Sequence, residues 1–238
     1  MKSFNGSRVA TVLYRLHLWQ PARFRRHVRR PTTPGRPLPA QDVNKPHRRS
    51  ADRSLLVSWL NIQPLTNKTD DVQAVISERS LDILALTETW HSASDDVRLR
   101  LATPDGYAVV EAARSTGRGG DVAIIYRKHL RYSRMMPSCT TLEAICARLT
   151  TASGPVIVLN VYRPGSNRPS SLFYDELASL LEVLVTHSCP VVVGGDFNIH
   201  IHDSDDSDSR RFCELLSSFD MLQHVTAATH RCGARWIW

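Results

Sequence analysis

The stretch Val191-Val192-Val193-Gly194-Gly195-Asp196-Phe197-Asn198-Ile199-His200 runs an apolar, β-branched segment straight into a carboxylate and an amide. A run of this kind reads as a strand covered on both faces. The two glycines let the backbone turn and approach a neighbour closely. Asp196 and Asn198 stand two apart, so extended backbone would project them from one side. A carboxylate and an amide at the mouth of a strand can orient a water and hold an anionic oxygen, which points to hydrolysis of a phosphate ester. The same residues also make an ordinary strand-ending turn, because Gly, Asp and Asn are the common turn formers. The rest of the chain has to separate the two readings.

Working outward, four further segments deliver polar residues at the ends of apolar runs. Ser54–Ile62 alternates and carries Asn61 near its end. Asp82–Trp90 is an apolar strand that delivers Glu88 within Thr87-Glu88-Thr89-Trp90. Gly117-Arg118-Gly119-Gly120-Asp121 is a glycine turn feeding Val122–Tyr126. Val156–Tyr162 ends at Tyr162 and is stopped by Arg163-Pro164. In this order the set resembles the endonuclease/exonuclease/phosphatase superfamily, and within it the apurinic-type endonuclease domain of non-LTR (LINE-like) retrotransposons. The resemblance covers about residues 54–232, and its specificity lies in the ordered set rather than in any single member.

The resemblance implies an α/β fold, a four-layer sandwich of two packed sheets flanked by helices. It also implies metal-dependent hydrolysis of DNA phosphodiesters. By the same route Glu88 and Asn61 are the expected ligands of Mg²⁺ or Mn²⁺. Asp196 is expected to activate the attacking water, with Asn198 and Tyr162 on the phosphate and Arg163 as a further substrate contact. The chemistry is consistent with the donor types, since hard oxygen ligands suit magnesium and one or two carboxylates suffice. Two departures stand out. Asp121 occupies a position where the family has a third glycine. The family's later Leu-Asp pair and Ser-Asp-His motif, which supply the catalytic histidine and its aspartate partner, find no match in this chain. Residues 54–238 are therefore expected to be a domain lacking its C-terminal part, incomplete as a sandwich and impaired or inactive as an enzyme. One hypothesis for Gly233–Trp238 is a frame change, which the encoding nucleotide sequence would test. A lipid or inositol phosphodiesterase and a non-catalytic remnant that binds nucleic acid through its basic leader are the competing readings.

Charge divides the 238 residues sharply. Residues 1–53 hold 13 Lys/Arg against 2 acids, and residues 54–238 hold 17 against 21, so the formal +7 comes entirely from the leader. Its Arg- and Pro-rich composition reads as a disordered segment able to add salt-sensitive phosphate affinity. An acid-free, Arg-rich start also resembles a mitochondrial presequence; an upstream leader of a mobile-element reading frame is the simpler account. The five cysteines (139, 146, 189, 213 and 232) show no C-x-x-C spacing, so neither a zinc site nor a disulfide framework is expected, and a reducing nuclear or cytoplasmic setting fits. No segment is long and apolar enough to span a membrane. The expected partner is DNA, and oligomeric state is not legible.

Strands are expected at Tyr107–Glu111, Val122–Tyr126, Leu142–Leu149 and Val156–Tyr162. Helices are expected after Thr69 as a capped start, from Ser171 with a leucine stripe, and over Ser209–Phe219. The run His200–Asp208 lacks the glycine and terminal glutamate of a calcium loop and reads as a solvated turn leading into a helix.

Overall fold

The structure is a computed structural model that describes residues 12–17 by their backbone, and 54–91, 97–112, 120–135, 137–201 and 203–224 in full. Its plan is two βαβ units set face to face, each extended by antiparallel strands. In the first unit β2 (Ser54–Asn61) runs through helix α1 (Thr69–Glu78) into the parallel strand β3 (Ile83–Thr87). In the second, β8 (Gly154–Tyr162) runs through α3 (Ser171–Val185) into the parallel strand β9 (Val191–Asp196). Parallel neighbours need a crossover, and the intervening helix supplies it. Antiparallel additions complete the sheets. The first has the order β1 (Val12–His17), β2, β3, β5 (Val122–Arg127), β4 (Tyr107–Ala112), and the second β6 (Arg131–Met135), β7 (Glu143–Thr151), β8, β9.

Period-two alternation then sorts the core. Leu55, Val57 and Trp59 of β2, Ile83 and Ala85 of β3 and Ile124 of β5 meet Ile145, Ala147 and Leu149 of β7 and Val156 and Val158 of β8 between the sheets. The opposite faces are covered by helices. Val72, Val75 and Ile76 of α1 pack on Leu60, Leu84 and Leu86, and Leu177 and Leu181 of α3, with Phe212 and Leu216 of α4 (Ser207–Ser218), pack on Ile157, Leu159 and Val161. The result is the expected four-layer α/β sandwich.

Several local readings change. Helix α1 starts at Thr69 as expected, but without a side-chain cap: its N-cap is Lys68 and Asp70 and Asp71 sit in the first turn. The short helix α2 (Val97–Ala102) and the edge strand β6 are additions, and two of the five residues of β6 are arginines, which hides it from a hydrophobic pattern. Helix α4 is capped by Asp206, whose side chain accepts from the Asp208 N–H, so the acidic run makes a helix start.

The leader needs a larger correction. Composition assigns all of residues 1–53 to disorder, yet Val12–His17 forms β1, antiparallel to β2 with Val12 opposite Trp59 and His17 opposite Ser54. The β-branched and aromatic residues Val12 and Tyr14, with Leu13 and Leu16, suit a strand, and β2 otherwise presents an unpaired edge. Deleting residues 1–53 should flatten the salt dependence of DNA binding, through the loss of thirteen basic residues. The same deletion should expose the β2 edge and promote self-association. Light scattering on residues 54–238 beside the full chain, with binding measured across a salt series, checks both; an unchanged salt slope would remove the leader from phosphate contact.

Candidate active site

The two parallel pairs end on the same side of the sandwich, and each brings two polar residues there. Asn61 ends β2 beside Thr87, and Tyr162 ends β8 beside Asp196. Glu88 follows β3 immediately, in the left-handed region at φ 54°. One amide joins the units: Asn61 Nδ2 donates to Glu88 Oε1 at 2.8 Å and to Asp196 Oδ2 at 2.7 Å. Asn61, Glu88 and Asp196 are therefore brought together although they come from both sheets. Both carboxylates are buried, with Glu88 8% and Asp196 7% exposed. Asn61 Oδ1 is also buried and has no hydrogen-bond partner.

Burial is the main force on Asp196 and pushes its pKa up. The hydrogen bonds from Asn61 and from the Asn198 N–H pull the other way, the Glu88 charge raises it and the Arg163 charge lowers it, and the result is about 6. An acid in that range exchanges protons near neutrality.

The close approach of the two sheets here depends on glycine. A Cβ on Gly194 would lie 2.4 Å from the Trp59 ring, so the indole of one sheet rests directly on the backbone of the other. Gly195 has φ 140°, and a Cβ there would lie 1.9 Å from the Val161 carbonyl oxygen. One layer deeper, Asn160 Nδ2 donates to the Leu86 carbonyl at 2.7 Å and to the Ala123 carbonyl at 3.2 Å, tying β8 to the facing sheet. Asn160 was not singled out from sequence. Its signal was a lone amide within the apolar run Val156–Val161.

Two sequence readings are revised. Asn198 does not extend beside Asp196; its φ is 51°, its N–H donates to Asp196 Oδ1 at 3.1 Å, and its side-chain amide donates to the Arg163 carbonyl at 2.7 Å. Arg163 is turned inward. Nε donates to Phe197 O, Nη1 to Pro164 O and Asn167 O, and Nη2 to Asn198 O. Four of its five N–H groups thus hold main-chain carbonyls, and the guanidinium braces the loop that carries Asn198 rather than reaching outward. Tyr162 is half-buried at the end of β8.

The loop after Glu88 is fastened along its length. Leu65 N–H donates to Thr89 O, Thr89 N–H to Asp121 O and Trp90 N–H to Gly120 O. Thr89 Oγ1 lies 2.6 Å from His91 Nδ1, and His91 Nε2 lies 3.1 Å from Glu111 Oε2. Asp121 takes φ 69°, the conformation a glycine would favour, and its N–H donates to Glu143. The histidine bridge was not visible in sequence, because nothing in local spacing links His91 to Glu111. Arg118 and Gly119, together with the segment from Thr229 to Trp238, lie outside the described residues. Among the described residues no group of three His, Cys, Asp or Glu is arranged around a common point. Cys139, Cys146, Cys189 and Cys213 are free, and no helix is long and apolar enough to cross a membrane.

Comparison with known proteins fits this geometry. The profile of the Endonuclease/Exonuclease/phosphatase family matches residues 59–229. In sequence the chain is 27% identical over 148 residues to the RNA-directed DNA polymerase from mobile element jockey of Drosophila melanogaster, covering 61% of this chain and 15% of the relative. It is 26% identical over 142 residues to the corresponding protein of Drosophila funebris, covering 59% and 14%. The chain thus spans about a seventh of the length of these curated relatives. Among solved structures it is similar to the endonuclease domain of TRAS1, a telomere-specific non-LTR retrotransposon, with TM-score 0.52 at 15% identity over 68% of this chain and 71% of that one. The AP endonuclease LMAP from Leishmania major gives TM-score 0.52 at 18% identity over 68% and 65%. The chain belongs to the endonuclease/exonuclease/phosphatase family, in the company of mobile-element proteins and endonucleases.

Proposed function

We propose that this chain is a retrotransposon-type endonuclease domain that hydrolyses DNA phosphodiesters with a divalent metal ion. The observation that carries the reading is the Asn61 amide held between Glu88 and Asp196, with its own Oδ1 left unpartnered in a buried site. A hard cation suits that set. Two carboxylates meet at one amide whose oxygen has no partner, the candidate ligands are all oxygen, and Mg²⁺ takes only one or two carboxylates while keeping most of its waters. Glu88 and Asn61 would hold the ion, which supplies charge neutralisation at the phosphate.

The remaining work falls to the chain's own side chains. Asp196 orients the attacking water and takes its proton on a carboxylate oxygen as the new P–O bond forms and the P–O bond to the departing strand breaks, the leaving oxygen taking a proton from solvent; its pKa near 6 leaves Asp196 ionised at neutral pH. Asn198 spends one side-chain N–H on the Arg163 carbonyl, so its second N–H can bind a phosphate oxygen. Tyr162 offers its hydroxyl to the same group. Arg163 is a positioning residue for that loop.

Plasmid nicking tests the reading. With excess protein and long incubation, Mg²⁺ or Mn²⁺ should support nicking of supercoiled DNA that Glu88→Ala abolishes. Nicking undiminished in EDTA would overturn it. A second readout needs no turnover: the metal should raise the melting temperature of the native chain but not of Glu88→Ala. The effect should grow as pH rises through about 6, where Asp196 ionises.

A further inference from the structure

Trp90 is the large aromatic that the packing of this chain does not account for. It is 43% exposed, whereas Trp59 is 1% exposed in the core. Single exposed apolar side chains are ordinary on a protein surface. What separates Trp90 is its backbone: φ is 52°, the left-handed region, which a bulky residue enters only under constraint. A glycine would occupy that position without strain. Among the described residues the indole makes no ring contact or hydrogen bond that repays either its exposure or its conformation.

The constraint that holds it there is extensive. The Trp90 N–H donates to Gly120 O at 3.2 Å and the Thr89 N–H to Asp121 O at 3.3 Å. The buried His91 ring, its side chain 1% exposed, bridges Thr89 to Glu111 of β4. These bonds fix the main chain on both sides of Trp90 and present its ring from a rigid mount. The mount stands two residues beyond Glu88, at the rim of the site that faces the phosphodiester.

Resting on the DNA reading above, we propose that Trp90 is a stacking platform for an unpaired nucleobase next to the scissile phosphate. An indole face accepts any base, because every base has a π surface, and a rigid aromatic loses little freedom on doing so. A paired base keeps its faces in the duplex stack and is not available. The substrate is therefore a strand with an unpaired or frayed nucleotide at the cleavage site, in preference to continuous duplex. The segment Thr89-Trp90-His91 fixes substrate position; it takes no part in the bond making.

The experiment uses the full chain with Ca²⁺ in place of Mg²⁺ and a single-stranded oligothymidine carrying one 2-aminopurine, alone or annealed to its complement. Native protein should bind the single strand more tightly than the duplex and quench the 2-aminopurine. Trp90→Ala should lose the quenching and weaken single-strand binding about tenfold. Trp90→Phe should keep most of both. Trp90→Gly guards against misreading a folding defect, since relief of the left-handed strain should raise its melting temperature while DNA binding falls. Equal quenching and affinity in Trp90→Ala and native protein, with DNA bound by both, would overturn the stacking role alone. Failure of the native chain to bind either DNA would overturn the DNA reading, and this inference with it.

Discussion

Asp196→Asn is expected to slow DNA nicking by on the order of a thousandfold while changing DNA affinity by no more than a few-fold. In the proposed mechanism the Asp196 carboxylate takes a proton from water, and an amide cannot do so. The fold should survive, because an amide of the same shape can accept the Asn61 hydrogen bond even though it cannot also accept the Asn198 N–H. A stability signature should accompany the kinetic one. The Asp196 pKa is raised in the folded chain, to about 6 from 3.8, so the folded state binds the extra proton between those values. Its contribution to stability is therefore most favourable below about pH 4 and is lost as pH rises through 6 in the absence of metal, by about 3 kcal/mol at most. Denaturant unfolding of native chain and variant at pH 5 and pH 7.5, without metal, should show the difference between the two moving in the variant's favour at the higher pH. Turnover near that of the native chain would remove Asp196 from the mechanism.

Gly195→Ala should cost more stability than almost any other single-methyl addition, above about 3 kcal/mol, and should leave little folded protein. Two effects add. The backbone there has φ 140°, and the new Cβ would lie 1.9 Å from the Val161 carbonyl oxygen, a backbone atom that cannot swing aside. Gly106→Ala is the matched control. Its φ is 84°, but a Cβ there meets nothing within 4 Å, so only the left-handed penalty of about 1–2 kcal/mol applies. Unfolding midpoints for the two variants should differ widely. If they coincide, close approach of β8 and β9 is not what Gly195 provides.

Much of this was legible beforehand because apolar runs that end in a polar residue betray strands delivering a site. Asn61, Glu88, Tyr162 and Asp196 were placed at strand ends, and they are. The side-chain logic beyond those ends was not. Asn198 was read as extended, but strand β9 stops at Asp196 and the left-handed turn beyond it sends the amide to the Arg163 carbonyl. Arg163 was expected to contact substrate because of the resemblance. Only the three-dimensional course of the Phe197–Asn198 loop reveals that main-chain carbonyls surround it. β1 escaped because a six-residue, mostly apolar segment inside an Arg- and Pro-rich leader is outvoted by its surroundings. The His91 bridge is a contact between residues twenty apart on different elements, and no local rule reaches it.

The hydrogen bond from Asn61 to Asp196 spans 135 residues of sequence. During synthesis the second partner follows the first by on the order of ten seconds. For that interval a nascent chain holds Asn61 and Glu88 without Asp196, and the proposed site does not yet exist. It begins when the second βαβ unit docks on the first, the slow, non-local step of a fold with this connectivity. Any later parting of the two sheets disarms it at once. A site divided between two sheets thus carries a maturation delay and a safety catch in its topology alone.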